Sequence, residues 1–269
     1  MSQEPNKYPS RVSRLNQKTK KIQLEYDATL DPSEKLLSFN KVTGFSLNFP
    51  ILQTCIPTEI CASRCYYATG PATWPNSIKK QLRLYNSVKK NPIQAAELLA
   101  KEITSKRKQI TFIRWNGGGD LFLESVKMLN HFAERVPSLP IWVVTRIPRF
   151  ASMIEEKPNV FIHFSLDSKS LDRRKEFEQM KKQSVNYFYS YQCDKGEIPL
   201  PEHLLGSSVL FYDCYKPEDG WMQQTDKSII CPLNLEQDIT GVCEKCRRCF
   251  NSLAVSHRKS GPVPVFNPQ

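Results

Sequence analysis

The chain has 269 residues, enough for one large domain or two small ones, and 40% of them are hydrophobic. With 14 Phe, 10 Tyr and 4 Trp, this composition is typical of a globular protein and excludes an intrinsically disordered one. No apolar run reaches the length of about 18 residues that a membrane-spanning helix needs. The first 21 positions are polar and basic without an apolar stretch, so we expect no secretion signal and a cytoplasmic location.

The net charge is +11, and it is concentrated at the start of the chain. Such a charge favours nucleic acid or another polyanion as a partner, although a lysine-rich solvated surface gives the same composition. Within the first 21 positions one acidic residue, Glu4, is outnumbered by six basic ones: Lys7, Arg11, Arg14, Lys18, Lys20 and Lys21. We interpret residues 1–40 as a basic leader that is extended or partly helical.

After this leader, short apolar segments alternate with segments of helical period. The predicted strands are GFSLNFPIL (44–52), QITFIRW (109–115), LPIWVVTRI (139–147), NVFIHFSLDS (159–168), SVNYFYSYQ (184–192) and SVLFYDCY (208–215). The predicted helices are SIKKQLRLYNSVKK (77–90), IQAAELLAKEITSK (93–106), SVKMLNHFAERV (125–136), ASMIEEK (151–157) and SLDRRKEFEQMKKQ (170–183).

This alternation predicts an α/β fold with a parallel sheet, in the form of a complete or partial β/α barrel over residues 41–214. Residues 215–269 form a cysteine-rich C-terminal extension. In such barrels the chemistry lies at the C-terminal ends of the strands. The residues at those ends are Cys55, Cys61 and Cys65, Asn116–Asp120, Thr145 and Arg146, Ser165–Asp167, Tyr191–Cys193 and Tyr212–Cys214.

The C-terminal extension holds four cysteines in the pattern C-x11-C-x2-C-x2-C. Closely spaced thiolates suit the corners of a [4Fe-4S] cluster, and a proline (Pro232) after the remote cysteine is common in cluster loops. A zinc ion in a tetrahedral site and thiols without a metal stay open as alternatives. The ligands would be Cys231, Cys243, Cys246 and Cys249.

A second cysteine group follows the first predicted strand, with Cys55, Cys61 and Cys65 in the pattern C-x5-C-x3-C. No fourth cysteine lies nearby in the sequence. A [4Fe-4S] cluster held by three thiolates leaves one iron open, and an open metal position is where a substrate or cofactor binds.

A three-cysteine loop after the first strand and a glycine-rich turn after the second resemble the radical S-adenosylmethionine superfamily. The resemblance implies that the open iron binds the methionine part of S-adenosylmethionine, and that Gly117, Gly118, Gly119 and Asp120 bind its amino group. From their positions at the ends of strands, Arg146 and Asp167 could hold the ribose or carboxylate of a cofactor. Tyr66 and Tyr67 could stack on an adenine or shield the cluster from water. The superfamily's usual loop is C-x3-C-x2-C with an aromatic residue before the last cysteine, so the present spacing departs from it.

A resemblance of greater extent covers most of the chain after residue 40. The segments TCIPTEICASRCYYATG, PNSIKKQLRLYN, GGGDLF and CEKCRRCF are similar to those of a poorly characterised phage-encoded family known by a gene-product number. In the motifs of that family, Ile56 here precedes Pro57, and Phe250 takes the last aromatic position. This resemblance implies cluster binding and a radical-enzyme-like fold but specifies no substrate.

Four further residues carry weaker predictions. Cys193 and Cys214 follow strands and could be ligands, a redox pair or hydrogen-atom donors, although small buried thiols are the simpler interpretation. His163 lies inside a strand and is expected to be a packed, hydrogen-bonded core histidine. His257 lies beside the second cysteine group, where a surface role is the simpler interpretation.

These patterns lead to three functional hypotheses. The first is a radical S-adenosylmethionine-like enzyme with two [4Fe-4S] clusters, an unknown substrate and a separate reductant protein. The second is an iron–sulfur electron carrier or redox sensor without catalysis. The third is a zinc-stapled nucleic-acid-binding protein that uses its basic leader. For a phage-encoded protein, the expected location is the cytoplasm of the host cell.

Overall fold

The computed structural model describes residues 15–20, 22, 31, 33–63, 65–106, 109–180, 186–192, 208–211, 231–232 and 240–250. These residues form a mixed α/β fold built on one seven-stranded sheet. The strands are β1 Ser38–Asn40, β2 Gly44–Asn48, β3 Ile113–Gly118, β4 Ile141–Thr145, β5 Val160–Asp167, β6 Tyr187–Gln192 and β7 Ser208–Phe211.

The strands lie side by side in chain order, from β1 to β7. The edge strand β1 pairs antiparallel with β2, and every later pair in the sheet is parallel. Parallel neighbours need crossover connections, and helices occupy several of these connections. The predicted mixed α/β fold with a mostly parallel sheet is therefore confirmed.

Capping residues and prolines define the two longest helices. The helix Pro75–Lys90 begins with a proline in its first turn, where the missing N–H costs nothing. The next helix, Pro92–Ser105, begins in the same way, and the Asn91 side chain caps it by accepting a hydrogen bond from the Gln94 N–H at 3.0 Å. The helices are α1 Ile51–Thr54, α2 Glu59–Ser63, α3 Pro75–Lys90, α4 Pro92–Ser105, α5 Leu123–Arg135, α6 Pro148–Ala151, α7 Arg173–Met180 and α8 Val242–Cys246, with 3-10 turns at Tyr66–Ala68 and Gly70–Thr73.

Alternate residues of the strands face two different cores. One face packs against the helices and forms the main apolar core, where Trp115, Val143 and Leu166 are fully buried. The opposite face carries a smaller aromatic cluster, made of Phe112, Trp142, Phe161, Phe188, Phe250 and Cys231. Both sides of the central strands are thus covered, which is typical of parallel sheets.

Three predicted boundaries are wrong, and each error has a local cause. Strand β2 ends at Asn48 because Pro50, which lacks an N–H, cannot continue the ladder, and α1 begins at Ile51. The predicted helix 151–157 is replaced by the short α6, which ends at Ala151. Beyond it, Glu155 N donates to Asn130 Oδ1 at 3.0 Å, an interaction that holds this segment outside a helix.

The third boundary concerns the glycine-rich segment. Strand β3 begins at Ile113, later than predicted, and includes Gly117 and Gly118 instead of ending before them. Pairing with β2 shifts register between Leu47 and Asn48, because Asn116 adopts a left-handed backbone conformation with φ of 60°. Such a bulge next to a site re-aims the residues that follow it.

Several predictions fall outside the described residues. They concern Cys193, Cys214, His257 and most of the basic leader, of which residues 15–20 form a helical turn. Across the part of the chain that the structure describes, no helix is long and apolar enough to cross a membrane.

Candidate functional site

A cavity of about 540 Å³ lies over the C-terminal ends of strands β3 to β6. Asn116, Thr145, Ser165 and Gln192 line it, one from each of these four strands. Both predicted cysteine groups line the same cavity, through Cys55, Cys61, Cys65, Cys231, Cys243, Cys246 and Cys249. We call Cys55, Cys61 and Cys65 the first cysteine set, and the other four the second cysteine set.

The first cysteine set lies on a loop with two short helices. Cys55 ends α1, and its N–H donates to the carbonyl of Ile51 at 3.1 Å. Thr58 caps α2, since its Oγ1 accepts from the N–H of Cys61 at 3.1 Å. The carbonyl of Cys65 accepts from the N–H of Ala68 at 3.1 Å, so all three thiol-bearing residues have backbone positions fixed by local hydrogen bonds.

Thr58 also joins this loop to the sheet. Its hydroxyl donates to Oδ2 of Asp167 at the end of β5, and Arg146 Nη1 donates to the same oxygen at 2.7 Å. The Asp167 side chain has no exposed surface, and the Arg146 side chain is 9% exposed. Asp167 Oδ1 accepts from Lys169 N at 3.0 Å and Ser170 Oγ at 3.1 Å. A carboxylate has about four acceptor positions, so protein donors fill those of Asp167.

Asp120 makes a similar connection at the end of β3. Its Oδ1 accepts from Thr145 Oγ1 and Leu121 N, both at 2.7 Å, and its Oδ2 accepts from Arg146 N at 3.0 Å. Its own N–H donates to Thr54 Oγ1 at 3.0 Å, just before Cys55. Burial raises the pKa of Asp120 to about 6, against the opposing effect of these hydrogen bonds. This carboxyl lines the cavity and holds the ends of two strands.

The glycine segment lets the cysteine loop approach the sheet closely. A Cβ on Gly118 would lie 2.4 Å from the ring of Tyr67, so only glycine permits this packing. The neighbouring Gly119 has φ of +82°, a conformation that other residues rarely adopt. The hydroxyl of Tyr66 donates to the carbonyl of Gly117, which leaves its ring at the cavity wall.

The second cysteine set is held by backbone and aromatic contacts. Gly241 N donates to the carbonyl of Lys41 at 2.8 Å, and Cys243 N donates to that of Val42 at 3.4 Å. The ring of Phe250 stacks on Phe112, with centroids 4.0 Å apart and planes 15° apart. These contacts place the second set on the sheet face opposite the helices.

Two of the thiols, those of Cys55 and Cys243, occupy environments that disfavour the thiolate form. Burial raises the pKa of Cys55 well above its usual range, and the charges of Asp120, Cys61 and Cys65 raise it further. Burial raises the pKa of Cys243 to about 11, although the Arg114 charge acts in the opposite direction. None of the seven cysteines in the described part of the chain is in a disulfide.

A single-ion site is not formed by these side chains. Among the described residues, no group of three or more His, Cys, Asp or Glu side chains is arranged to hold a metal ion. The cysteines of each set nevertheless influence one another electrostatically, since Cys61 and Cys65 raise the pKa of Cys55, and Cys246 raises that of Cys243.

Three site residues received no role from the sequence. Thr58 and Gln192 belong to the buried network, in which Gln192 Oε1 accepts from Arg146 Nη2 at 3.0 Å. Arg114 lines the cavity from near the beginning of β3. Its position as the one charged residue in QITFIRW was the signal that could have identified it. His163 is buried, as expected, and its Nδ1 accepts from Trp142 Nε1 at 3.0 Å.

Comparison with known proteins gives one match. A family model described as Gene product 88 (GP88) matches residues 11–252, which is most of the 269-residue chain. No curated protein and no solved structure matches it. The predicted resemblance to a phage-type gene-product family is thereby confirmed, and the chain belongs to the Gene product 88 family.

Proposed function

We propose that the protein is an iron–sulfur protein that resembles radical S-adenosylmethionine enzymes. The first cysteine set would hold a [4Fe-4S] cluster with one open iron, and the second set would hold a complete cluster. The observation that carries this proposal is that both cysteine sets line one cavity over the ends of parallel strands. Seven thiols around one cavity suit metal centres that work together better than they suit separate structural sites.

The donor set fits clusters better than a single zinc ion. Zinc sites usually take their cysteines as two separated pairs, whereas the second set has three cysteines two residues apart and a remote fourth. A cubane cluster binds each thiolate at a different corner, so its ligands lie further apart. The raised pKa values of Cys55 and Cys243 also indicate that a bound cation is needed to keep these thiols ionised.

The order of the strands supports a partial barrel. Parallel strands that follow one another without reversal place successive right-handed crossover helices on the same face of the sheet. A sheet of this kind must cover its other face by curling or by adding chain, and the second cysteine set covers part of it here. We therefore propose a partial β/α barrel whose interior contains the cavity.

Protein groups around the cavity would have distinct roles. A cluster supplies one electron at a time, and an open iron offers a coordination position to a ligand. Thr54 and Thr58 hold the first cysteine set against the sheet, through Asp120 and Asp167. The aromatic cluster around Phe250 excludes water from the second set. The backbone at Gly117–Gly119 lets a ligand approach closely.

One observation favours the alternative hypothesis of an electron carrier. Asp167 has its acceptor positions filled by protein donors, and Arg146 is paired with it, so both are engaged in holding the loop. S-adenosylmethionine would then have fewer polar partners than the sequence predicted. A carrier or sensor with the same clusters would need neither residue for a cofactor.

Anaerobic purification tests the proposal directly. We expect visible absorption, iron and sulfide, with roughly half of the iron lost in a Cys55→Ala, Cys61→Ala, Cys65→Ala variant. Reduced wild-type protein with S-adenosylmethionine should release 5′-deoxyadenosine and methionine, and the triple variant should not. Colourless protein loaded with zinc would refute both iron–sulfur hypotheses, whereas iron-loaded protein that releases neither product would leave the electron carrier.

A further inference from the structure

Arg114 lies between the two cysteine sets. Its guanidinium carbon is 5.6 Å from the ring centroid of Tyr66, which follows the first set, and 4.8 Å from that of Trp142. On the other side its charge lowers the pKa of Cys243, in the second set. Arg114 also lines the cavity, so its cation faces the space that both sets enclose.

The guanidinium of Arg114 has no anionic partner among the described residues. Within the described part of the chain, no carboxylate lies within ion-pair distance of it and no acceptor receives its hydrogen bonds, and its Nε is buried. Arg146, in the same cavity, instead donates to Asp167 and Gln192. A guanidinium has five donors, and burial without acceptors is unfavourable. Arg114 is therefore an arginine whose donors a ligand can satisfy.

The charge of the cavity wall points to the same class of ligand. Asp120 is the one carboxylate among the lining residues that the structure describes. The cation–π contacts with Trp142 and Tyr66 restrict the position of the guanidinium. The edge of a guanidinium matches the paired oxygens of a carboxylate or a phosphate. Four arginines line the cavity: Arg114, Arg146, Arg247 and Arg248.

We propose that Arg114 forms an anion-binding subsite in this cavity, and that the molecule bound there carries a carboxylate or a phosphate. Ser165, Ser190 and His163 line the same wall and offer hydrogen-bonding groups to the rest of that molecule. As a statement about the substrate class of the proposed enzyme, this inference rests on the proposed function. Anion binding by Arg114 itself requires no cluster.

Calorimetric titration of the anaerobically purified full chain tests this subsite, with inorganic phosphate and acetate as separate probes. We expect saturable binding of at least one probe to the wild type, and at least tenfold weaker binding to Arg114→Gln. Arg114→Lys keeps the charge but loses the planar pair of donors, so its affinity should be intermediate. Arg149→Gln is the matched control, since Arg149 also stacks on an aromatic ring, Phe150 at 4.6 Å, but is exposed and outside the cavity.

The probe that binds distinguishes a phosphate-carrying from a carboxylate-carrying molecule. Wild-type protein that binds neither probe would overturn the subsite, as would Arg114→Gln protein that binds like the wild type. If circular dichroism shows that Arg114→Gln does not fold, the Arg114→Lys variant decides, because unchanged affinity there also refutes a guanidinium-specific subsite. Iron and zinc are measured in the same samples. A metal-free protein that binds phosphate through Arg114 would refute the cluster proposal alone, and an iron-loaded protein that binds neither anion would refute the subsite alone.

Discussion

The two cysteine sets enclose one cavity but are held in place by different interactions. The first set is held by hydrogen bonds of two threonine hydroxyls: that of Thr58 donates to the buried carboxylate of Asp167, and that of Thr54 accepts from the backbone N–H of Asp120. The second set is held by the stacking of Phe250 on Phe112 and by backbone bonds to the β1–β2 turn. Polar networks fix direction, whereas aromatic packing mainly excludes water.

This difference suggests a division of roles between the sets. On the proposed function, an iron that binds a ligand needs a defined orientation toward the cavity, and the polar network around the first set would provide it. A cluster that only transfers electrons or stabilises the fold tolerates a less directional support. Substitutions that affect one mode of attachment and spare the other test this division.

Removal of metal from the second set should have the largest effect. A Cys243→Ala, Cys246→Ala variant removes two of the four proposed metal ligands in the second set. In structural zinc peptides, metal binding contributes on the order of 10 kcal/mol to the free energy of folding. We expect rapid tryptic cleavage at Lys245 and Arg247, while circular dichroism shows that the sheet is still folded. The visible absorption that remains, from the first set, should be about half the wild-type intensity.

A matched variant in the first set sharpens this result. Cys55→Ala with Cys61→Ala should lose metal without new cleavage, because Thr54 and Thr58 still attach the loop to the sheet. A second-set variant as resistant to trypsin as the wild type would show that Phe250 packing alone holds that segment.

Asp167→Asn should destabilise the polar attachment strongly. Arg146 would remain buried without its ionic partner, and breaking a buried pair in this way costs about 3 to 5 kcal/mol. Urea unfolding measures the loss in the free energy of unfolding. The control is Glu178→Gln, which removes an exposed pair with Arg174 and should cost less than about 0.5 kcal/mol. Equal effects of the two substitutions would contradict the network.

Phe250→Ala should loosen the aromatic attachment by about 3 kcal/mol, the lower end of the range for a buried phenylalanine. Tryptic cleavage near residue 247 should accelerate, while the metal content of the first set stays constant. Phe39→Ala is the control, because Phe39 is 68% exposed and stacks on Phe45 at the sheet edge. Loss of first-set metal in Phe250→Ala would show that the two attachments depend on each other.

Thr58→Val should have the smallest effect on stability, about 1 to 2 kcal/mol, since it leaves Asp167 with one hydrogen bond fewer and the Cys61 N–H without its acceptor. Its effect on the first set should be selective, with lower metal affinity there and an unchanged second set, as measured by metal competition with a chelator. Thr104→Val, on the exposed side of α4, should change neither quantity. If Thr58→Val retains the wild-type metal affinity, the hydroxyl does not orient the loop.

The sequence predicted the elements whose signals are local. Helices α3 and α4 follow from their apolar period and from the Asn91–Pro92 boundary between them. The β-branched and aromatic runs predicted β4, β5 and β6 in nearly their correct positions. Prediction failed where the conformation of a single residue determines strand pairing. The left-handed φ of Asn116, for example, shifts the register of β3 against β2.

The candidate site was predicted as residue types rather than as an arrangement. The seven cysteines were identifiable by spacing, but their shared cavity depends on contacts between residues far apart in the chain, such as Val42 with Cys243. Asp167 was assigned to a cofactor because carboxylates at strand ends often bind ligands. Only its four protein donors reveal that it holds the cysteine loop. That the Arg114 Nε has no hydrogen-bond acceptor among the described residues could likewise be recognised only from the structure around it.

The backbone hydrogen bonds from Gly241 to Lys41 and from Cys243 to Val42 also have a consequence for the order of assembly. They close a loop that contains most of the chain, and the entropic cost of closure rises with loop length. During synthesis the N-terminal part emerges first, so the second cysteine set reaches the sheet last. We therefore expect a nascent chain that ends before Cys231 to present the first cysteine set on a formed sheet, in a cavity that is still open on one side.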